Sequence, residues 1–301
     1  MSTRVVRFAI LGIFVGALAA CSSSSTAPAP TPMPGHLYVN NTSTSVKGVS
    51  VYSLPFSASS TALYTVSNGL VFPGDVAVDS TGDLAVCDGA NTVRYYTAPL
   101  SSSSTATANI TTGCSTSAFD VNRSLYVPTQ GAAVNVYAQP ITSAEVPTTI
   151  TNGLTSALSV AFDASGRLYV GDDGGTTGVH VYNAPYTGAP AFSIACCPGG
   201  GTALRGIAVD SNGDLFVAEL FTMKIWVFTA PLSAVSTSAY QLTGVTVPED
   251  MMFDASGKLY VVDNTDGSLK IFTPPLSGAS TPTVIPPSVT FNADFGVAVG
   301  P

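Results

Sequence analysis

Five segments of the chain repeat one pattern of apolar and polar positions: a short apolar run, Asp, a few turn formers, then Leu and more apolar residues. They read VAVDSTGDLAV from Val76, SAFDVNRSLYV from Ser117, VAFDASGRLYV from Val160, IAVDSNGDLFV from Ile207 and MMFDASGKLYV from Met251. A sixth copy is divided between the two ends, with GHLYV beginning at Gly35 and VAVG at Val297. Apolar residues at successive positions, rather than at every second one, mark strands buried on both faces. The anchor leucines Leu37, Leu84, Leu125, Leu168, Leu215 and Leu259 are spaced by 47, 41, 43, 47 and 44 residues. A period of that size, with one four-stranded antiparallel sheet per unit, predicts an all-β fold, a six-bladed β-propeller.

Between the two apolar runs of each unit the polar residues specify a hairpin. Asp79, Asp120, Asp163, Asp210 and Asp254 form one column, whose carboxylates accept N–H bonds at the start of a turn. Gly82, Gly166, Gly213 and Gly257 follow three residues later, where φ is positive. The third unit has Asn122-Arg123 instead, and Asn122 is expected to take the left-handed conformation. A third strand ends in an aromatic column, Tyr52, Tyr96, Tyr137, Tyr182, Phe228 and Phe272, expected to pack between blades. Two residues earlier stand Ser50, Arg94, Asn135, His180, Trp226 and Lys270, a variety that suits a partly exposed rim. His180 and His36 have no carboxylate or Cys at metal-ligand spacing and are not expected to be ligands. Pro55, Pro99, Pro140, Pro185, Pro231 and Pro275 come three residues after the aromatic column and are expected to protect an outer edge.

The first 34 residues stand outside this pattern. Arg4 and Arg7 precede an uncharged run from Phe8 to Ala17, and Leu18-Ala19-Ala20-Cys21 follows. That order reads as a lipoprotein signal peptide over residues 1–20 with Cys21 as the lipidated residue. Residues 21–34 are Ser- and Pro-rich and read as an extended tether, leaving residues 35–301 for the propeller. These features place the protein in the bacterial cell envelope, held on a membrane by its lipid. Ser22 after the cysteine resembles the pattern of outer-membrane sorting, so the outer membrane or cell surface is expected. The formal charge is −8, and removal of Arg4 and Arg7 takes it to −10. Such a balance repels phosphate backbones and argues against nucleic acid as a partner. The chain is expected to act as a monomer.

The segments GDVAVDSTGDLAVCDGANTVRYY and RGIAVDSNGDLFVAELFTMKIWVF resemble NHL repeats, and the resemblance extends over residues 35–301. It implies a propeller closed by its C-terminal strand, which pairs within the N-terminal blade. It also implies a channel mouth formed by the loops between strands two and three and by the connections between blades. Asp75, Asp88, Asn91, Asp172, Asp173, Glu219, Glu249, Asp250, Asp263, Asp266 and Asp294 fall on that face. All of these except Asp266 and Asp294 are the candidate ligand-binding residues, and all but Asn91 are acidic, although acids are also ordinary in solvated loops. The gluconolactonase group is similar in blade number and holds a Ca²⁺-type ion in its channel. Asp75, Glu219 and Asp250 are the metal-ligand candidates here, with Ca²⁺ as the cofactor that an oxygen-rich site would favour. The group's own motif cannot be placed on this sequence, and no catalytic residue can be assigned. Streptogramin lyases resemble the repeat too, but they rely on His, of which this chain has two.

Beyond Cys21 there are four cysteines. Cys87 and Cys114 both fall on the mouth face and are expected to form a disulfide. Cys196 and Cys197 are then left as a vicinal disulfide or as two free thiols. Taken together, the sequence reads as a membrane-anchored binding or scaffolding module for a protein, carbohydrate or small-molecule ligand. A Ca²⁺-dependent, lactonase-like hydrolase is the alternative.

Overall fold

The computed structural model describes residues 35–42, 47–89, 91–174, 178–197, 203–287, 293 and 295–301. Residues 1–34, expected to be a signal peptide and a tether with Cys21, lie outside the described residues, as does Asp294. Six four-stranded antiparallel sheets follow one another as blades. Blade 2 contains β4 (Pro73–Val78), β5 (Leu84–Asp88), β6 (Thr92–Tyr96) and β7 (Ala108–Thr111). Blade 3 contains β8 (Ala118–Phe119), β9 (Leu125–Pro128), β10 (Val134–Tyr137) and β11 (Thr148–Ile150). Blade 4 contains β12 (Ala157–Phe162), β13 (Leu168–Asp172), β14 (Val179–Tyr182) and β15 (Phe192–Ile194). Blade 5 contains β16 (Leu204–Val209), β17 (Leu215–Glu219), β18 (Lys224–Phe228) and β19 (Tyr240–Leu242). Blade 6 contains β20 (Pro248–Phe253), β21 (Leu259–Asp263), β22 (Ser268–Phe272) and β23 (Thr283–Ile285).

Blade 1 closes the ring. Its outer strands β1 (His36–Asn41), β2 (Gly48–Ser53) and β3 (Tyr64–Val66) come from the start of the domain, and β24 (Val297–Gly300) supplies the innermost strand. Val297 pairs with Val39 and Gly300 with His36. The Asn40 side chain fastens the closing strand, its amide oxygen accepting from Phe295 N–H at 3.0 Å and Gly296 N–H at 2.8 Å.

The buried apolar residues form six clusters, each spanning one seam between blades. Sheets packed between two neighbours bury both faces, which is why the strands read as continuous apolar runs. In every blade the anchor leucine is opposite the aromatic column, as in Leu37 opposite Tyr52, Leu168 opposite Tyr182 and Leu259 opposite Phe272. All twelve of these side chains are buried.

The Asp column forms the expected turns. In each of the five, one carboxylate oxygen accepts two backbone N–H bonds, at 2.8–3.0 Å, from residues two and four positions on. The third turn corrects the sequence reading, because Arg123, at φ 65°, and not Asn122 takes the left-handed conformation. Its guanidinium crosses to blade 2 and bonds Asp79 at 2.6 Å and Asp83 at 2.5 Å. Charge-assisted bonds of this kind offset the cost of about 1–2 kcal/mol for a left-handed residue bearing a Cβ. Two further expectations are corrected. The six prolines follow cis peptide bonds and open the connection to the outermost strand instead of lying on its edge. Ser50, His180, Trp226 and Lys270, expected at a partly exposed rim, are buried.

Candidate functional site

Four residues after each anchor leucine, at the end of the second strand or, in blade 3, just past it, stand Asn41, Asp88, Thr129, Asp172, Glu219 and Asp263. The acids of this column are engaged by their own blade. Asp88 accepts from Val71 N–H at 2.9 Å and Phe72 N–H at 2.6 Å, and pairs with Arg94. Asp172 accepts from the N–H groups of Thr155, Ser156 and Gly174 at 2.6, 2.9 and 2.8 Å. Asp263 accepts from Thr246 N–H at 2.8 Å and Val247 N–H at 3.0 Å. Glu219 binds Phe221 N–H, Thr222 N–H and the Thr222 hydroxyl. The varied column of the third strand now has an explanation. Arg94, His180 and Lys270 reach the acids at the ends of their own second strands, at 2.5, 3.7 and 3.5 Å. Trp226 Nε1–H donates at 3.2 Å to the Thr222 hydroxyl that Glu219 holds. Burial raises the Asp172 pKa, but the surrounding donors outweigh it and hold the carboxyl below the ordinary range. Burial lowers the pKa of His180, with Asp172 opposing.

A different pair of acids lies at the axis. The residue preceding the inner apolar run is, from blade 1 to blade 6, Gly296, Asp75, Thr116, Ser159, Gly206 and Asp250. A Cβ on Gly296 would come within 2.7 Å of Asp75 Cα, and one on Gly206 within 2.7 Å of Asp250 Cα. Glycine at these two places lets the acid-bearing strands approach. Asp75 Oδ2 accepts from the Ser117 hydroxyl at 2.8 Å, and Asp250 Oδ2 accepts from Val297 N–H at 2.9 Å. Neither acid has an ion-pair partner among the described residues. Burial pushes Asp75 well above the usual carboxyl range, and the neighbouring Asp250 adds to the rise. Burial pushes Asp250 up to about 7.

Two cavities meet at this pair. One, of about 230 Å³, is the channel itself, walled by the inner strands of all six blades with Asp250 on its lining. The other, of about 250 Å³, is the mouth, lined by Phe72, Asp75, Gln130, Arg205, Glu249 and Phe295 together with Cys87 and Cys114. The Phe72 and Phe295 rings are 5.8 Å apart between centroids. Arg205 Nε lies 3.1 Å from Glu249 Oε2. Burial raises the pKa of Glu249, with Arg205 opposing. Cys87 and Cys114 are joined, and so are Cys196 and Cys197.

Of the candidate acids, the structure therefore brings Asp75, Glu249 and Asp250 to the channel and its mouth. Asp88, Asp172, Glu219 and Asp263 fasten loops, and Asp266 accepts from Ser268 N–H at 3.0 Å beside Lys270. Asn91 is exposed in its hairpin. Asp173 N–H donates to the Ser156 carbonyl at 2.9 Å, within the same loop system as Asp172. A Ca²⁺ site built from Asp75, Glu219 and Asp250 does not fit. Glu219 is committed to its own loop, and among the described residues no three His, Cys, Asp or Glu side chains are grouped to hold a metal ion. Phe72, Gln130, Arg205 and Phe295 were not singled out from the sequence. A signal for two of them exists in the repeat, because Gly74, Ser115, Leu158, Arg205, Glu249 and Phe295 share one column and five of these six line the mouth.

No protein-family profile matches the sequence, and no curated protein does. Solved structures match in fold. A candidate 6-phosphogluconolactonase from Bacteroides fragilis superposes with a TM-score of 0.65 at 11% identity, over 91% of this chain and 99% of its own. A Bacteroides caccae protein of unknown function gives 0.63 at 12%, over 89% and 99%. A Lactobacillus plantarum protein gives 0.61 at 16%, over 88% and 99%. Likeness at these identities shows the propeller fold alone.

Proposed function

We propose that the protein is a binding module, an extracytoplasmic propeller anchored through Cys21 that takes a small polar ligand at its channel mouth. One observation carries this reading: the mouth cavity of about 250 Å³ sets two aromatic rings beside Asp75, Gln130 and the Arg205–Glu249 pair. Aromatic faces cover the C–H surface of a ligand, while the amide, guanidinium and carboxyl groups orient its hydroxyl or amino groups. Thermal-shift measurements on the full chain with monosaccharides, sugar lactones and alkylamines test it. A compound that raises the melting temperature of the parent, but not of Phe72→Ala or Arg205→Ala, supports the reading. Stabilisation by none of them, or by an equal amount in both variants, overturns it. Anchoring is checked by palmitate labelling in cells, which Cys21→Ser should abolish.

Hydrolysis of a lactone is the second reading, favoured by the buried Asp75–Asp250 pair and the fold shared with a candidate 6-phosphogluconolactonase. One protonated and one ionised carboxyl side by side can serve as acid and base. Lactone hydrolysis that disappears in Asp250→Asn, in protein freed of metal by EDTA, would favour it over binding alone.

A further inference from the structure

Cys196 and Cys197 are bonded to one another although they are neighbours in sequence. A disulfide stabilises mainly by closing a loop in the unfolded chain, and its effect grows with the number of residues enclosed. Cys87–Cys114 spans 27 residues, whereas Cys196–Cys197 encloses none. Loop closure therefore accounts for the first bond and not for the second.

The surroundings of the pair are asymmetric. Cys197 is 5% exposed and packs in the seam between blades 4 and 5 with Val179, Ile194, Leu204 and Trp226. Cys196 is only half-buried at the edge of the same cluster. A Cβ on Gly178 would meet Cys196 Cβ at 2.2 Å, so the backbone before β14 makes room for the pair. Cys197 has φ 71°, a left-handed conformation that a residue with a Cβ seldom adopts. The bond between the adjacent residues closes a covalent ring on this backbone.

We propose that Cys196–Cys197 is a thiol–disulfide exchange site for a dithiol of the Cys-x-x-Cys type. One thiolate of the dithiol attacks Cys196 Sγ, the sulfur of the more exposed residue. A mixed disulfide forms, and Cys197 leaves as a thiolate that takes up a proton. The second thiolate of the dithiol then attacks the dithiol's own sulfur in the mixed bond and releases Cys196, which is protonated in turn. Two electrons and two protons pass to the pair, and the dithiol departs as a disulfide. Cys197 is thereby freed from its ring, and the seam between blades 4 and 5 relaxes. Trp226, the one tryptophan of the sequence, lies in that cluster and reports the change.

The test uses the purified full chain under native conditions, with reduced thioredoxin as the dithiol. Free thiols are trapped with iodoacetamide and assigned by peptide mass mapping, and Trp226 emission is followed in parallel. Cys196 and Cys197 are expected to be alkylated at least about tenfold faster than Cys87 and Cys114, whose residues are 2% and 4% exposed. Emission should change over the same time course, revert with glutathione disulfide, and stay constant in Cys196→Ser/Cys197→Ser. Should that double variant fail to fold, the ratio of alkylation rates in the parent decides alone. Equal rates for the two disulfides, reaction at 196 and 197 only in denaturant, or a pair of free thiols that never oxidises would each overturn the proposal.

Discussion

Asp172, which ends the second strand of blade 4, and Asp250, within the inner strand of blade 6, are both buried carboxyls, yet their environments drive them in opposite directions. Asp172 is surrounded by donors, with three backbone N–H groups and a hydroxyl, and its pKa falls. Asp250 receives the N–H of Val297, and burial takes its pKa up to about 7. Burial is common to both, so the supply of donors decides whether a buried carboxyl is a structural anion or a proton-holding group. Repetition explains the contrast. The second-strand acid performs the same loop-fastening task in several blades, whereas the axial position varies among Gly, Ser, Thr and Asp around the ring.

Substitutions can break this comparison. Asp172→Ala strands three N–H groups and is expected to have the largest effect, a loss of about 3–5 kcal/mol in urea unfolding. A loss below about 1 kcal/mol would show that the donors do not depend on the acid. Asp250→Asn should act in the other direction. The folded pKa of about 7 lies above the ordinary value of 3.8, so this group's contribution is complete below about pH 4. It is lost as pH rises through about 7. Asp250→Asn is accordingly expected to stabilise the fold at pH 8 by on the order of 1–2 kcal/mol and to flatten the pH dependence between 4 and 8. Unfolding midpoints of the two proteins across that range give the answer, and parallel curves would refute it.

Arg123 sharpens the same point on the opposite turns. Arg123→Ala loses the bonds to Asp79 and Asp83 and keeps the left-handed backbone, whereas Arg123→Gly loses the bonds and relieves the backbone. The alanine variant should be less stable than the glycine variant by about 1 kcal/mol. Asn91→Ala, at an exposed hairpin position, should change stability by less than about 0.5 kcal/mol and serves as the reference.

Much of the fold was legible because each blade repeats the same local chemistry. The Asp turns, the Leu and aromatic columns and the split blade are all periodic, and periodicity survives in sequence. The candidate site was legible only in part. Asp75, Glu249 and Asp250 could be placed on the mouth face by alignment, but so could Asp88, Asp172, Glu219 and Asp263. What separates the two groups is hydrogen bonding to loop N–H groups and to a third-strand partner, which residue identity does not report. Trp226 illustrates the difficulty, since its contact with Glu219 runs through Thr222.

The sequence by itself determined the number of blades, their strand content and the sharing of one blade between the two ends, because apolar spacing and turn residues act over short distances. Only the tertiary structure decided that Asp75 and Asp250 meet across Gly296, that Arg123 spans two blades and that Phe72 and Phe295 share one mouth. These are contacts between residues 44 to 223 positions apart, and their geometry exists only once six strands converge on one axis.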